Sequence, residues 1–184
     1  MPLAPSPLLQ LLRVEAQLGG VGAKFLVNAG RVYTERRTKH PYGKKPPGQC
    51  YLNAFELALA HPELSYCEGR ALSMGIVPLE HAWCVDADGK VVDVTREEYD
   101  TVDYVGVAFS EAFLEPWVAR RRQHAVLAEM FPSELAKLAP AAFLANPTAE
   151  QLAGAVSVFA HVNQMLASMP LPDVAEKSRR RHAA

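Results

Sequence analysis

Three side chains in this chain are of the types that turn a thiol into a nucleophile: Cys50, His81 and Asp93. A thiol at neutral pH is mostly protonated, and proteins activate it with the positive end of a helix, a neighbouring imidazole, or both. Cys50 directly follows Pro46-Pro47-Gly48 and opens a run of good helix formers. It is therefore predicted at a helix N-terminus, where unsatisfied N–H groups and the helix dipole favour a thiolate. An imidazole at His81 supplies the base, and a carboxylate at Asp93 the group that orients it.

Whether His81 and Asp93 can meet depends on one turn. The sequence Asp86-Ala87-Asp88-Gly89-Lys90 fits a three-residue hairpin loop with Gly89 in the left-handed conformation. That loop pairs residue 86 with 90, 83 with 93 and 81 with 95, which puts His81 and Asp93 on one face as diagonal neighbours about 7–8 Å apart at the backbone. A two-residue turn would put them on opposite faces, because one residue of slip inverts a strand.

The elements that must position these groups follow from periodicity. Residues 7–18 read as an amphipathic helix stopped by Gly19-Gly20, and residues 36–47 as a basic, Pro- and Gly-bearing loop. A buried helix is predicted over 50–64, with Pro62 at its fraying end, and strands over 65–74, 81–86, 91–95 and 104–109. Residues 25–33 are short and mixed in pattern. Helices are predicted over 110–130, 133–144 and 148–165, and residues 171–184 as a disordered basic tail. The expectation is one α+β domain over 1–170, with a core at about 45–110 and a helical cover at about 110–168.

Composition narrows the function classes. A chain of 184 residues supports one substantial core, and 19 basic against 20 acidic residues create no global field for nucleic acid or anionic membrane. No apolar run approaches the roughly 20 residues that span a bilayer. Residues 1–9 carry three prolines and no basic residue ahead of the apolar run, the wrong order for a secretory signal. Three cysteines, without a C-x-x-C pair, suit a reducing compartment better than a disulfide framework or structural zinc. A cytoplasmic protein without metal or cofactor is expected.

The strings Gly48-Gln49-Cys50-Tyr51-Leu52-Asn53-Ala54, Tyr66-Cys67-Glu68-Gly69, His81-Ala82-Trp83 and Val92-Asp93-Val94-Thr95 resemble the transglutaminase-like branch of the papain-like superfamily. The likeness covers roughly residues 45–110, and its most specific piece is His-Ala-Trp followed by a Gly turn and Val-Asp-x-Thr. It departs from the family pattern at Tyr51, where a Trp or a Gly-rich context is common, and in the short span from Cys50 to His81. The resemblance implies a Cys-bearing helix packed on a small antiparallel sheet, with extra helices before and after. It also implies Cys50, His81 and Asp93 as a catalytic triad forming an acyl-enzyme. The oxyanion would be held by the Cys50 N–H and the Gln49 side chain. Substrates would be proteins, peptides or small amides, attacked by a peptidase or amidase, or alternatively by an acyltransferase, transglutaminase or deamidase.

Other readings compete with these. Cys67 and Cys84 lie mid-strand between apolar neighbours and read as small hydrophobes. The basic residues between Arg31 and Lys45 could hold an acidic substrate, or simply form a solvated loop. Glu80 adjoins His81, so in a strand the two face opposite ways. His40, His61 and His124 lie at no ligand spacing. The rivals from other classes are a non-catalytic binding or inhibitory protein that keeps the fold, and a metal module built on Cys50, His81 and Asp93.

Overall fold

The computed structural model describes residues 6–73, 77–96, 101–120, 136–137 and 143–146. Helix α1 (Pro7–Gln17) starts where Ser6 caps it, its hydroxyl accepting the Leu9 N–H at 3.0 Å, with Pro7 in the first turn. Leu8, Leu12 and Ala16 form its buried stripe, and Gly19, at φ +100°, ends it. Asp103 pins the start from the sheet, accepting the Leu8 N–H at 3.2 Å and the Ser6 hydroxyl.

Residues 25–33, mixed in pattern, divide between helix α2 (Val21–Ala29) and strand β1 (Arg31–Tyr33). Helix α3 (Cys50–Ala60) begins at the cysteine as predicted and ends before His61-Pro62. Strands β2 (Ser65–Ser73), β3 (Val77–Val85), β4 (Val91–Val92) and β5 (Thr101–Ala108) follow, then α4 (Glu111–Arg120). The protein is thus of mixed α+β class. The predicted helix over 133–144 is corrected at its end: Leu144 forms a β-bridge with Phe109. The expected helix over 148–165 and the tail over 171–184 lie outside the described residues. No helix among the described residues is long and apolar enough to cross a membrane.

The strands form one sheet in the order β1-β5-β2-β3-β4, with every neighbouring pair antiparallel. The sheet is curled. The chain leaving β1 returns to the far edge, where Arg36 bridges Val91, the Arg37 N–H donates to Val91 O at 2.8 Å, and the Val91 N–H donates to Glu35 O at 2.9 Å. The segment that follows β1 is therefore joined to β4 by backbone hydrogen bonds and covers that edge of the sheet.

The sheet separates two cores. Outside the sheet, α1, α2 and α3 pack on Tyr66, Leu72, Ala82, Cys84, Val105 and Val107. Inside lie Tyr33, Cys67, Ala71, Trp83, Val85, Val91 and Tyr104. Cys67, Gly69 and Ala71 on the inner face of β2 are all small, so rings from the strands on either side meet above it. Trp83 and Tyr104 approach to 5.0 Å between centroids, and Tyr33 meets Trp83 edge-on at 6.1 Å. At Gly69 an added Cβ would lie 2.1 Å from Val105 O, so β2 and β5 could not pass this closely with any other residue.

Candidate active site

The β3–β4 hairpin has the register that the three-residue loop predicts. Val85 pairs with Val91 and Cys84 with Val92, Gly89 sits at φ +78°, and the Asp86 N–H donates to Lys90 O at 3.0 Å. His81 and Asp93 consequently share the inner face, and His81 Nε2 lies 2.8 Å from Asp93 Oδ2. Glu80, beside His81, points outward to solvent.

Strand β4 was expected to run through residue 95, but it ends at Val92. Hydrogen-bonded pairs alternate along an antiparallel ladder, so after 84/92 the next such pair is 82/94. That pair is parted. The Val94 carbonyl accepts the Lys45 N–H, at 2.8 Å, from the loop that leads to Cys50. The Ala82 N–H faces the Cys50 sulfur instead. Asn53 fastens the insertion, donating to Pro46 O at 2.8 Å and to Thr95 Oγ1 at 3.1 Å. The start of α3 is thereby wedged into a gap in the sheet, next to His81.

Cys50 is half-buried. Burial alone would push its thiol up, but the His81 ring and the N–H groups of Ala82 and Tyr51 outweigh that and hold it below the ordinary value. Cys67 and Cys84 are fully buried, and desolvation pushes both thiols up. Cys84 Sγ donates to Ala54 O at 3.2 Å, as an inert thiol does. This agrees with their reading as packing groups.

Asp93 has no exposed surface, yet all its acceptor positions are used. Oδ1 accepts the N–H groups of Thr95 (2.9 Å) and Arg96 (3.1 Å); Oδ2 accepts His81 Nε2 and the Tyr104 hydroxyl (3.0 Å). Burial raises its carboxyl, but the His81 bond and these backbone donors bring it down to about 2. An ionised carboxylate only accepts, so His81 carries its proton on Nε2 and presents Nδ1 to the sulfur. Desolvation by itself weakens the ring's hold on a proton, and the bonds to Asp93 and Cys50 more than compensate, so it holds a proton above its ordinary range.

The three groups thus lie in line, with the imidazole between thiol and carboxylate. A metal module would need them to converge on one point; among the described residues no three His, Cys, Asp or Glu side chains are so arranged. Gln49 occupies the N-cap of α3 beside Cys50, its side chain exposed and its carbonyl accepting the Asn53 N–H at 2.8 Å.

Much of the basic loop is spent internally. Arg36 donates to the backbone carbonyls of Asp93 (2.9 Å) and Arg96 (2.6 Å) and to the Tyr104 hydroxyl (3.3 Å). Arg37 pairs with Asp86 at 2.5 Å and with Asp88, and Lys44 donates to Arg96 O at 2.6 Å. Arg36, Tyr104 and Asn53 also belong to the site, although their types and spacing in the sequence do not point to it. The Asp93-x-Thr95 spacing, which favours a turn closed on the aspartate side chain, was the available signal for the turn itself. Cavities of about 700, 330 and 310 Å³ lie elsewhere, the largest between the outer side of α3 and the start of α4.

No protein-family model, curated protein or solved structure matches the chain.

Proposed function

We propose that the protein is a thiol-dependent hydrolase that cleaves an amide or peptide-like bond through an acyl-enzyme on Cys50, built on a papain- or transglutaminase-like core. The observation that carries this reading is the line Cys50, His81, Asp93, with the aspartate ionised, the imidazole tautomer fixed and one thiol of three holding its proton less tightly than an ordinary thiol. A structural cysteine has no need of any of these.

In the reaction, His81 Nδ1 takes the Cys50 proton, and the thiolate attacks the carbonyl carbon of the substrate. Negative charge grows on the carbonyl oxygen, where the Cys50 N–H, at the first turn of α3, and the Gln49 amide can donate to it. The tetrahedral intermediate collapses as the imidazolium gives its proton to the leaving amine, leaving a thioester. Water, deprotonated by His81, then releases the acid and frees the thiol. Asp93 keeps its charge throughout and stabilises the imidazolium.

The test is to incubate the protein with a panel of activated amides and esters and to look for acyl adducts by intact-mass and peptide mass spectrometry. An adduct confined to Cys50 and absent in His81→Ala supports the reading. Acylation spread over exposed nucleophiles, unaffected by His81→Ala, sinks it.

A further inference from the structure

Asp93 Oδ2 is shared. It accepts from His81 Nε2 at 2.8 Å and from the Tyr104 hydroxyl at 3.0 Å, while Arg36 reaches the same hydroxyl at 3.3 Å. The direction of each bond is forced by chemistry: a guanidinium only donates, so the Tyr104 oxygen accepts from Arg36, and its one proton must go to the carboxylate. Arg36 itself is fixed by the carbonyls of Asp93 and Arg96, which close the turn that carries Asp93. Tyr104 arrives from β5, two strands away from β3, and crosses only because Gly69 and Ala71 leave the inner face of β2 bare.

We propose that Tyr104, aimed by Arg36, is a positioning residue that competes with His81 for Asp93 Oδ2 and so limits how tightly the imidazolium holds its proton. A donor to a carboxylate draws off part of its charge, and what the phenol takes is not available to the ring. The consequence for turnover rests on the reading of His81 as the acid and base of the site: an imidazolium held too firmly is slow to release its proton to a leaving group.

The charged and titratable groups around the pair come from every side. Cys50 faces the ring from α3, and Cys84, on β3, and His40, in the loop before α3, interact with Asp93. Arg36 lies behind Tyr104. From β2, the positions beside the pair on the inner face are Cys67, Gly69 and Ala71, while Glu68 lies on the opposite one. Tyr104 is thus the neutral hydroxyl through which the balance between Asp93 and His81 can be altered without changing a charge.

Tyr104→Phe keeps the ring that packs on Trp83 and His81 and removes only the donor. Asp93 retains three donors and stays ionised at neutral pH. The titration of His81 is followed by NMR in the full chain, its signal identified by loss in His81→Asn. Tyr104→Phe should raise the midpoint by about 0.5 to 1 pH unit, roughly a three- to tenfold tighter hold on the proton. A fluorinated tyrosine at position 104, a stronger donor, should lower it. A merely structural role gives no such opposite pair of shifts. An unchanged midpoint in both variants, or a shift in the same direction, overturns the proposal. Alkylation of Cys50, run in parallel, judges the hydrolase reading separately: a wild-type Cys50 no more reactive than a free thiol defeats that reading, while the His81 midpoints still decide the role of Tyr104.

Discussion

Two stretches of the same hairpin, two residues apart, treat their thiols in opposite ways. Around Cys84 the β3–β4 ladder is complete, α3 covers the outer face, and the thiol serves as a weak donor to Ala54 O. Around Ala82 the ladder is parted, the loop through Lys45 takes the Val94 carbonyl, and a backbone N–H is left facing Cys50. Both thiols touch the same helix and the same strand. What sets Cys50 apart is thus not burial but the His81 ring beside it and, after that, the N–H groups of Ala82 and Tyr51, which the parted ladder and the helix start leave facing its sulfur.

The largest effect expected from this contrast is on reactivity. Cys50→Ala should abolish thiol-dependent turnover, and His81→Ala should cost nearly as much, at least about a thousandfold in kcat/KM, because members of such a unit act together. Cys84→Ser should leave kcat/KM within a factor of a few; a loss there comparable to that of Cys50→Ala would mean the contrast is drawn at the wrong thiol.

Next in size is Asp93→Asn. The amide would offer a donor or a weaker acceptor where His81 Nε2 needs a carboxylate, so the ring tautomer is no longer fixed, and kcat/KM should fall by roughly a hundred- to ten-thousandfold. A circular dichroism spectrum like the wild type's would separate this from misfolding. If activity survives within a factor of about three, Asp93 is a structural carboxylate only.

The pH dependence of stability sharpens the same point. Asp93 has a folded-state value of about 2 against an ordinary value near 4, so its stabilisation, about 2 kcal/mol, is complete above roughly pH 4 and lost as the pH falls through 2. His81 has the opposite sign: its raised value contributes stability that is present below about pH 6.5 and lost as the pH rises through its folded value. Urea melts from pH 2 to 9 should show the acid loss shrink in Asp93→Asn. An acid limb that is identical in the variant contradicts the assignment.

The smallest effect concerns the wedge. Asn53→Ala removes the ties to Pro46 O and Thr95 Oγ1 and leaves these acceptors to find other donors, at about 1–3 kcal/mol of stability. Labelling of Cys50 should slow with it, whereas Cys84→Ser should lower stability and leave Cys50 labelling unchanged. A variant that loses stability without any change at Cys50 would show that the gap is held open by something else.

What was legible in the sequence is what local chemistry decides. The hairpin register follows from loop length and Gly89, and the helix start at Cys50 from Pro46-Pro47-Gly48 before good helix formers. The line of thiol, imidazole and carboxylate depends on little else. The rest is set by distant partners. Residues 91–95, VVDVT, look like one strand, and only the intrusion of Lys45 explains why pairing stops at Val92. Nothing near Arg36 in sequence reveals that it faces Val91 and the Asp93 turn, and nothing near Tyr104 reveals that Gly69 lets its hydroxyl cross β2. The nine residues of α2 and three of β1 are too short for periodicity to separate from a mixed segment.

The most direct test of the central claim is the rate of iodoacetamide labelling at each cysteine against pH, read by mass spectrometry in the wild type and in His81→Ala. Cys50 should label first, with a midpoint well below that of a free thiol, and this advantage should disappear without His81, while Cys67 and Cys84 stay unlabelled in the folded protein. Labelling of Cys50 with the pH dependence of an ordinary thiol, unchanged in His81→Ala, would contradict it.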